Sequence, residues 1–175
     1  MRANIDRKPL LTASILLGIG LGGFVDGILL HQMLQWHHML TVPYPATNVP
    51  NLELNSFWDS IFHSATWVAT AVGLALLWRA SRTPGVLWST RAFIGSLAAG
   101  WGLFNVVEGI VDHHLLGIHH VRENVPNVLL WDLGFLAFGA ILLAVGWLMI
   151  RSARLEGPAL ERIDVVRRRE GAGRL

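Results

Sequence analysis

Val25-Asp26-Gly27-Ile28-Leu29-Leu30-His31-Gln32-Met33-Leu34-Gln35-Trp36-His37-His38 decides how this chain is read, because its polar positions recur once. They return in Val107-Glu108-Gly109-Ile110-Val111-Asp112-His113-His114-Leu115-Leu116-Gly117-Ile118-His119-His120. The offset is 82 for the acid–glycine pair, for the single histidine and for the histidine pair alike. Of the eight histidines, only His63 and His114 (whose mate is Gln32) fall outside the matched set. Both copies lie in apolar surroundings, where a carboxylate near the middle of a membrane helix costs about 2.5–3.5 kcal/mol. A duplicated set of such costly residues points to one shared site, and imidazole with carboxylate points to a metal ion.

The surroundings are apolar enough to set the fold class. The chain is 53% hydrophobic and 15% charged over 175 residues, outside the range of an ordinary soluble domain. Apolar stretches run from Leu10 to Trp36, Phe57 to Trp78, Ala92 to Leu116 and Val128 to Ile150. Each is long enough to cross a hydrocarbon core of about 30 Å. The expectation is an all-α, polytopic membrane protein with four transmembrane helices. The first stretch is too long for a signal peptide and carries the motif itself, so it reads as a retained helix.

Thirteen of the 14 Lys and Arg residues flank the ends of these helices that lie away from the histidine pairs; Arg122 is the exception. The positive-inside rule then places both termini in the cytoplasm and both histidine-bearing connections outside. The basic tail suits anionic lipid headgroups, and no nucleic-acid module is present. With no cysteine, disulfides and thiolate metal sites are excluded.

The repeat reaches beyond the histidines. Asn48-Val49-Pro50-Asn51 recurs as Asn124-Val125-Pro126-Asn127 at an offset of 76, and Trp58-Asp59 as Trp131-Asp132 at 73. The expected organisation is an N-terminal segment 1–9, a membrane domain 10–151 and a basic tail 152–175, with Pro158 opening a candidate amphipathic helix. The membrane domain holds two parallel two-helix repeats, about 10–82 and 92–154. A pseudo-two-fold axis along the membrane normal would set Asp26 opposite Glu108 and His31 opposite His113. Gly18, Gly22, Gly23 and Gly27 on the first helix, and Gly95, Ala99 and Gly102 on the third, are candidates for close approach of those two helices. Asn55 or Ser56 is expected to cap the second helix and Asn127 the fourth.

Candidate metal ligands are Asp26, His31, His37, His38, Asp59, His63, Glu108, His113, His114, His119 and His120. At 100° per residue, His31 and His38 share a face of an extended first helix. Gly117 is expected to end the third helix before His119. Asp59 and His63 are i,i+4 neighbours on the second helix. Asp132 has no histidine four residues on and reads as a helix-start carboxylate favoured by the dipole. Such ligands suit a divalent ion of copper, zinc or iron. Delivery or transport of such an ion is a second expectation, and a haem with His31 and His113 as axial ligands a third.

Two longer blocks carry a resemblance. The stretch from Gly23 to Leu40, and that from Phe104-Asn105-Val106-Val107-Glu108-Gly109 through His119-His120-Val121-Arg122-Glu123, resemble the signature of a family of small bacterial predicted membrane proteins of unknown function. The resemblance spans Leu10 to Arg151. It implies four helices in a bacterial cytoplasmic membrane and no particular activity. It also brings an association of some relatives with copper-handling or oxidase-assembly proteins, which favours copper and names a candidate partner beside the lipid bilayer and a second copy of the chain.

The orientation is open to a direct test, because the chain has no cysteine of its own. In whole cells, Thr47→Cys should react with a membrane-impermeant maleimide, whereas Thr83→Cys should react only after permeabilisation.

Overall fold

The computed structural model describes residues 6–86 and 88–153; most of the basic tail, with the segment expected to start at Pro158, lies outside them. Helix α1 spans Lys8–Phe24 and continues without a break as a π-helix, Val25–Met33. Helix α2 spans Val49–Arg82. Helix α3, Thr90–Glu108, likewise continues as a π-helix, Gly109–Leu115, and α4 spans Val128–Ser152. All four are long and apolar enough to cross a membrane.

Local chemistry sets the helix starts. Pro9 and Pro50 occupy first-turn positions, where a missing N–H costs nothing, and Asn48 and Ser89 accept hydrogen bonds from the N–H groups of Asn51 and Ala92. Helix α2 therefore begins well before the expected cap. Asn55 is not a cap but a buried residue within the helix, accepting from the Leu40 N–H and donating to the Tyr44 carbonyl. Asn127 does hold the N-cap position of α4, without a side-chain cap bond. The matched Asn-Val-Pro-Asn tetrapeptides part company here. The first opens a helix, whereas the second lies in a loop with Asn124 at a φ of 58°.

Helices α1 and α3 form the centre. Gly18 and Gly100 meet backbone to backbone, so that a Cβ on Gly18 would collide with the Leu97 carbonyl oxygen and one on Gly100 with the Ile15 carbonyl oxygen. Each of these two pairs is 82 residues apart, as a two-fold relation between the helices requires. Of the other glycines expected at this crossing, Gly22 faces Trp101 on α3, but Gly23 and Gly27 face Thr66 and His63 on α2. Gly95 and Gly102 face Gly146 and Gly139 on α4. Small residues thus serve three helix pairs rather than one, because without a hydrophobic driving force in lipid, tight backbone packing is what holds helices together.

The outer helices attach to opposite sides of this pair, α2 to α1 and α4 to α3. Among the described residues the backbones of α1 and α4, of α2 and α3, and of α2 and α4 do not come close, although the Phe62 and Phe104 rings meet between α2 and α3 with centroids 6.0 Å apart. Helices α2 and α4 turn residues such as Trp67, Leu74, Leu130, Ile141 and Leu148 outward, as lipid-facing surfaces do.

Gly18→Leu or Gly100→Leu should force the central helices apart and cost about 1–3 kcal/mol or more, read as a lowered thermal midpoint in detergent. Gly134→Ala, where an added Cβ meets nothing within 4 Å, should leave the midpoint unchanged.

Candidate metal centre

The π-helical segments make the motif work. In an α-helix, residues five apart point about 140° away from each other. Widening each turn to i,i+5 hydrogen bonding brings the acid and the histidine of Asp26-x4-His31 onto one face. His31 Nε2 then lies 3.0 Å from Asp26 Oδ2, and His113 Nε2 lies 3.6 Å from Glu108 Oε1. The widened turns close alike in both halves. Leu34 and Leu116 N–H groups reach the carbonyls of Leu29 and Val111, and those of Trp36 and Ile118 reach Leu30 and Asp112. Gln35 and Gly117, again 82 apart, then turn left-handed at φ 48° and 57° and end the helices.

This ending overturns one expectation and meets another. His37 and His38 do not continue the first helix, so His31 and His38 do not share a helix face. Both histidine pairs sit in the loops that follow these turns, as Gly117 led one to expect for the second. From the loops they cross over: His37 Nδ1 donates to the Val121 carbonyl of the other half at 2.8 Å, and His119 Nδ1 to the Met39 carbonyl at 3.2 Å. Met39 and Val121 are themselves 82 apart. The loops are further clasped by Val42 N–H on the Ile118 carbonyl, Glu123 N–H on the Trp36 carbonyl and the Thr41 hydroxyl on the Glu123 carboxylate.

A carbonyl only accepts, so these bonds put the proton on Nδ1 and leave Nε2 of His37 and His119 with a free lone pair. The two rings stack, centroids 4.7 Å apart, and each touches His31 and His113. Nε2 of His31, His37, His113 and His119, both oxygens of Asp26 and Oε2 of Glu108 are all buried without a hydrogen bond of acceptable geometry. These six residues are at most 6% exposed. Three overlapping groups have ligand atoms within 4.8 Å of one another: His31, His37, His119; Glu108, His113, His119; and Asp26, His37, Glu108. The donor set fits a first-row divalent ion, whose ligand atoms at about 2.0–2.1 Å from a tetrahedral centre stand about 3.3 Å apart. Asp26 and Glu108 do converge.

Burial works against the charged form of both loop imidazoles. It holds His37 well below the ordinary imidazole value, helped by the neighbouring rings. For His119 the carboxylate of Glu108, whose Oε1 lies 3.5 Å from Nε2, outweighs burial, and its value is raised.

The remaining candidates stand around this set. Asp59 accepts from His31 Nδ1 at 3.0 Å, His38 Nδ1 at 2.6 Å and the Met39 N–H at 2.9 Å. It thereby orients His31, as a carboxylate behind a ligating histidine does. His63 Nδ1 donates to the Asp59 backbone carbonyl rather than meeting its side chain. His114 is exposed and donates to the Gly109 carbonyl. His120, like His38, donates Nδ1 to an aspartate.

That aspartate is Asp132, which sequence reasoning set aside. It accepts from His120 Nδ1 at 2.7 Å and the Val121 N–H at 2.9 Å, and its Oδ1 lies 3.8 Å from His113 Nδ1. It repeats what Asp59 does for His38 and the Met39 N–H, while His113 Nδ1 stays beyond hydrogen-bond distance. The Trp-Asp match carries the signal, but the histidine partner of Asp132 lies twelve residues back in the loop rather than four residues on.

The family described as predicted membrane protein (DUF2243) matches residues 13–153. No curated protein and no solved structure matches the chain.

Removing either orienting aspartate strands a buried backbone N–H and its histidine donors. Asp59→Ala and Asp132→Ala should each lower stability by about 1–3 kcal/mol per orphaned group in detergent unfolding, with Asp59→Ala the costlier. A silent Asp132→Ala would contradict the pairing.

Proposed function

Since the chain belongs to that family of predicted membrane proteins, whose description names no activity, we propose from the site itself that it binds a divalent first-row metal ion inside the membrane. His31, His37, His113 and His119 supply Nε2 atoms, and Asp26 and Glu108 supply carboxylates. The observation that carries this reading is the convergence of buried Nε2 atoms and carboxylate oxygens that meet one another without hydrogen bonds of acceptable geometry, while Nδ1 of His31, His37 and His119 is tied to a carboxylate or carbonyl. Each such group costs about 1–3 kcal/mol when buried without a full hydrogen bond, and a cation taking one atom from each ligand would offset that cost.

Copper, zinc or iron fits the donors; the absence of thiolates disfavours a soft cuprous site. When bound, such an ion supplies Lewis acidity or, for copper and iron, one-electron chemistry. The protein's own part is to fix tautomers through the crossed loop bonds, to hold two carboxylates against the ion's charge, and to keep bulk water out. The distribution of basic residues supports an orientation with the loop end of the bundle outside a cytoplasmic membrane.

Delivery of the ion is a second reading. The stretches Leu11 to Gly22 and Leu136 to Met149 contain no ionisable residue, which supports a bound centre over a path through the membrane. The haem reading is less favoured, because the stacked His37 and His119 rings touch both His31 and His113 where a porphyrin would have to lie.

Elemental analysis of protein purified from native membranes tests the reading. One or more ions per chain are expected, lost in His31→Ala and Glu108→Ala. Chelation should lower the thermal midpoint, since an ion at a hundred times its Kd contributes about 2.7 kcal/mol. Fully folded, metal-free native protein would refute the proposal.

A further inference from the structure

Because α1 and α4 stay apart on one flank of the bundle, and α2 and α3 on the other, each flank has a lateral cleft ending on a site carboxylate. The first, of about 560 Å³, ends on Asp26; the second, of about 350 Å³, ends on Glu108. Their linings correspond across the repeat: Gly22, Val25 and Asp26 in the first match Phe104, Val107 and Glu108 in the second, and Phe135 matches Phe62.

The differences between them are directional. Gly22 opens the first cleft where Phe104 narrows the second. Gly134 lines the first, with open space where a side chain would stand, and its mate at the offset of 73 is Ile61. Trp101 replaces Ile19, and Asn105 stands where the other half has Gly23. The first cleft is thus wider, walled by Trp36, Trp101, Trp131, Phe135 and Phe138, and polar only at its end. There Asp26 Oδ1 and Asn105 Oδ1 are buried acceptors without a hydrogen bond. The loop clasp closes the site from above, and the cleft offers the approach from the hydrocarbon.

We propose that this cleft binds a lipid-dissolved phenol or hydroquinone, its ring among the aromatic walls and its one hydroxyl proton shared between Asp26 and Asn105. The volume lies within the ~300–1,000 Å³ of small-molecule pockets. Aromatic walls favour a flat conjugated ring. Two unpartnered acceptors call for a donor, which a hydroquinone carries and its methyl ether lacks. The proposal names the ligand class of the same centre and so rests on the metal reading.

The test is anaerobic titration of the purified, metal-analysed protein in lipid nanodiscs with a hydroquinone bearing a decyl tail, followed by quenching of tryptophan fluorescence. Saturable binding is expected, weakened about tenfold or more by Gly134→Phe and by Asn105→Leu. Ile61→Phe, at the corresponding position on the other flank, should leave it unchanged, and so should both binding-site variants leave the metal content. The dimethyl ether of the same compound should bind about tenfold more weakly or worse. Metal-loaded protein without saturable binding would overturn the proposal and leave the metal reading standing. Equal binding of the ether, or binding indifferent to Gly134→Phe, would also overturn it. Saturable, Gly134-dependent binding to a protein that never carries metal would uphold the cleft and remove the metal reading.

Discussion

Two groups five residues apart on a helix cannot meet unless the helix widens, and that constraint shapes the loop end of this protein. The π-helical turns at Val25–Met33 and Gly109–Leu115 place Asp26 beside His31 and Glu108 beside His113. A wider turn gives up close α-helical packing along its axis, so it persists where something returns the loss. Here the return is geometric: both acid–histidine pairs face the same central space, from helices already held together lower down by Gly18 and Gly100.

The crossing of loop histidines to carbonyls of the opposite half joins the copies a second time. His37 cannot be oriented without Val121, nor His119 without Met39. Neither half contains a complete set of oriented ligands, so the centre exists only as a product of the two together. The halves are not identical, however. The distances in the second are longer, 3.6 and 3.8 Å around His113 against 3.0 and 3.0 Å around His31. A glutamate in place of an aspartate adds one methylene of reach across that gap.

Much of this was legible in the residues. Hydropathy and length gave four helices, and the constant offset of 82 gave the pairing of Asp26 with Glu108. The widened turns were not legible, because 100° per residue was assumed throughout and no residue type announces a π-helix. That assumption put His38 on a helix face it does not occupy. Asp132 was missed for a related reason: its partner lies in a loop, and loops carry no periodicity from which a contact can be read. The glycine spacing was visible but ambiguous, since in a glycine-rich chain it cannot say which of three neighbours each glycine meets.

Helix α2 carries a consequence for how the molecule sits. Its span from Trp58 to Arg79 covers about 32 Å, close to the ~30 Å of hydrocarbon, with an indole at one boundary and a guanidinium at the other. On that register Asp59 would stand just beneath the headgroups, and the side chains bonded to it would share its depth. The preceding turns, Val49–Phe57, rise roughly 13 Å above that level. The loop before them is bonded along their flank, Asn51 to the Pro45 carbonyl and Asn55 to the Tyr44 carbonyl, so helix end and loop form one braced unit beside the histidine loops.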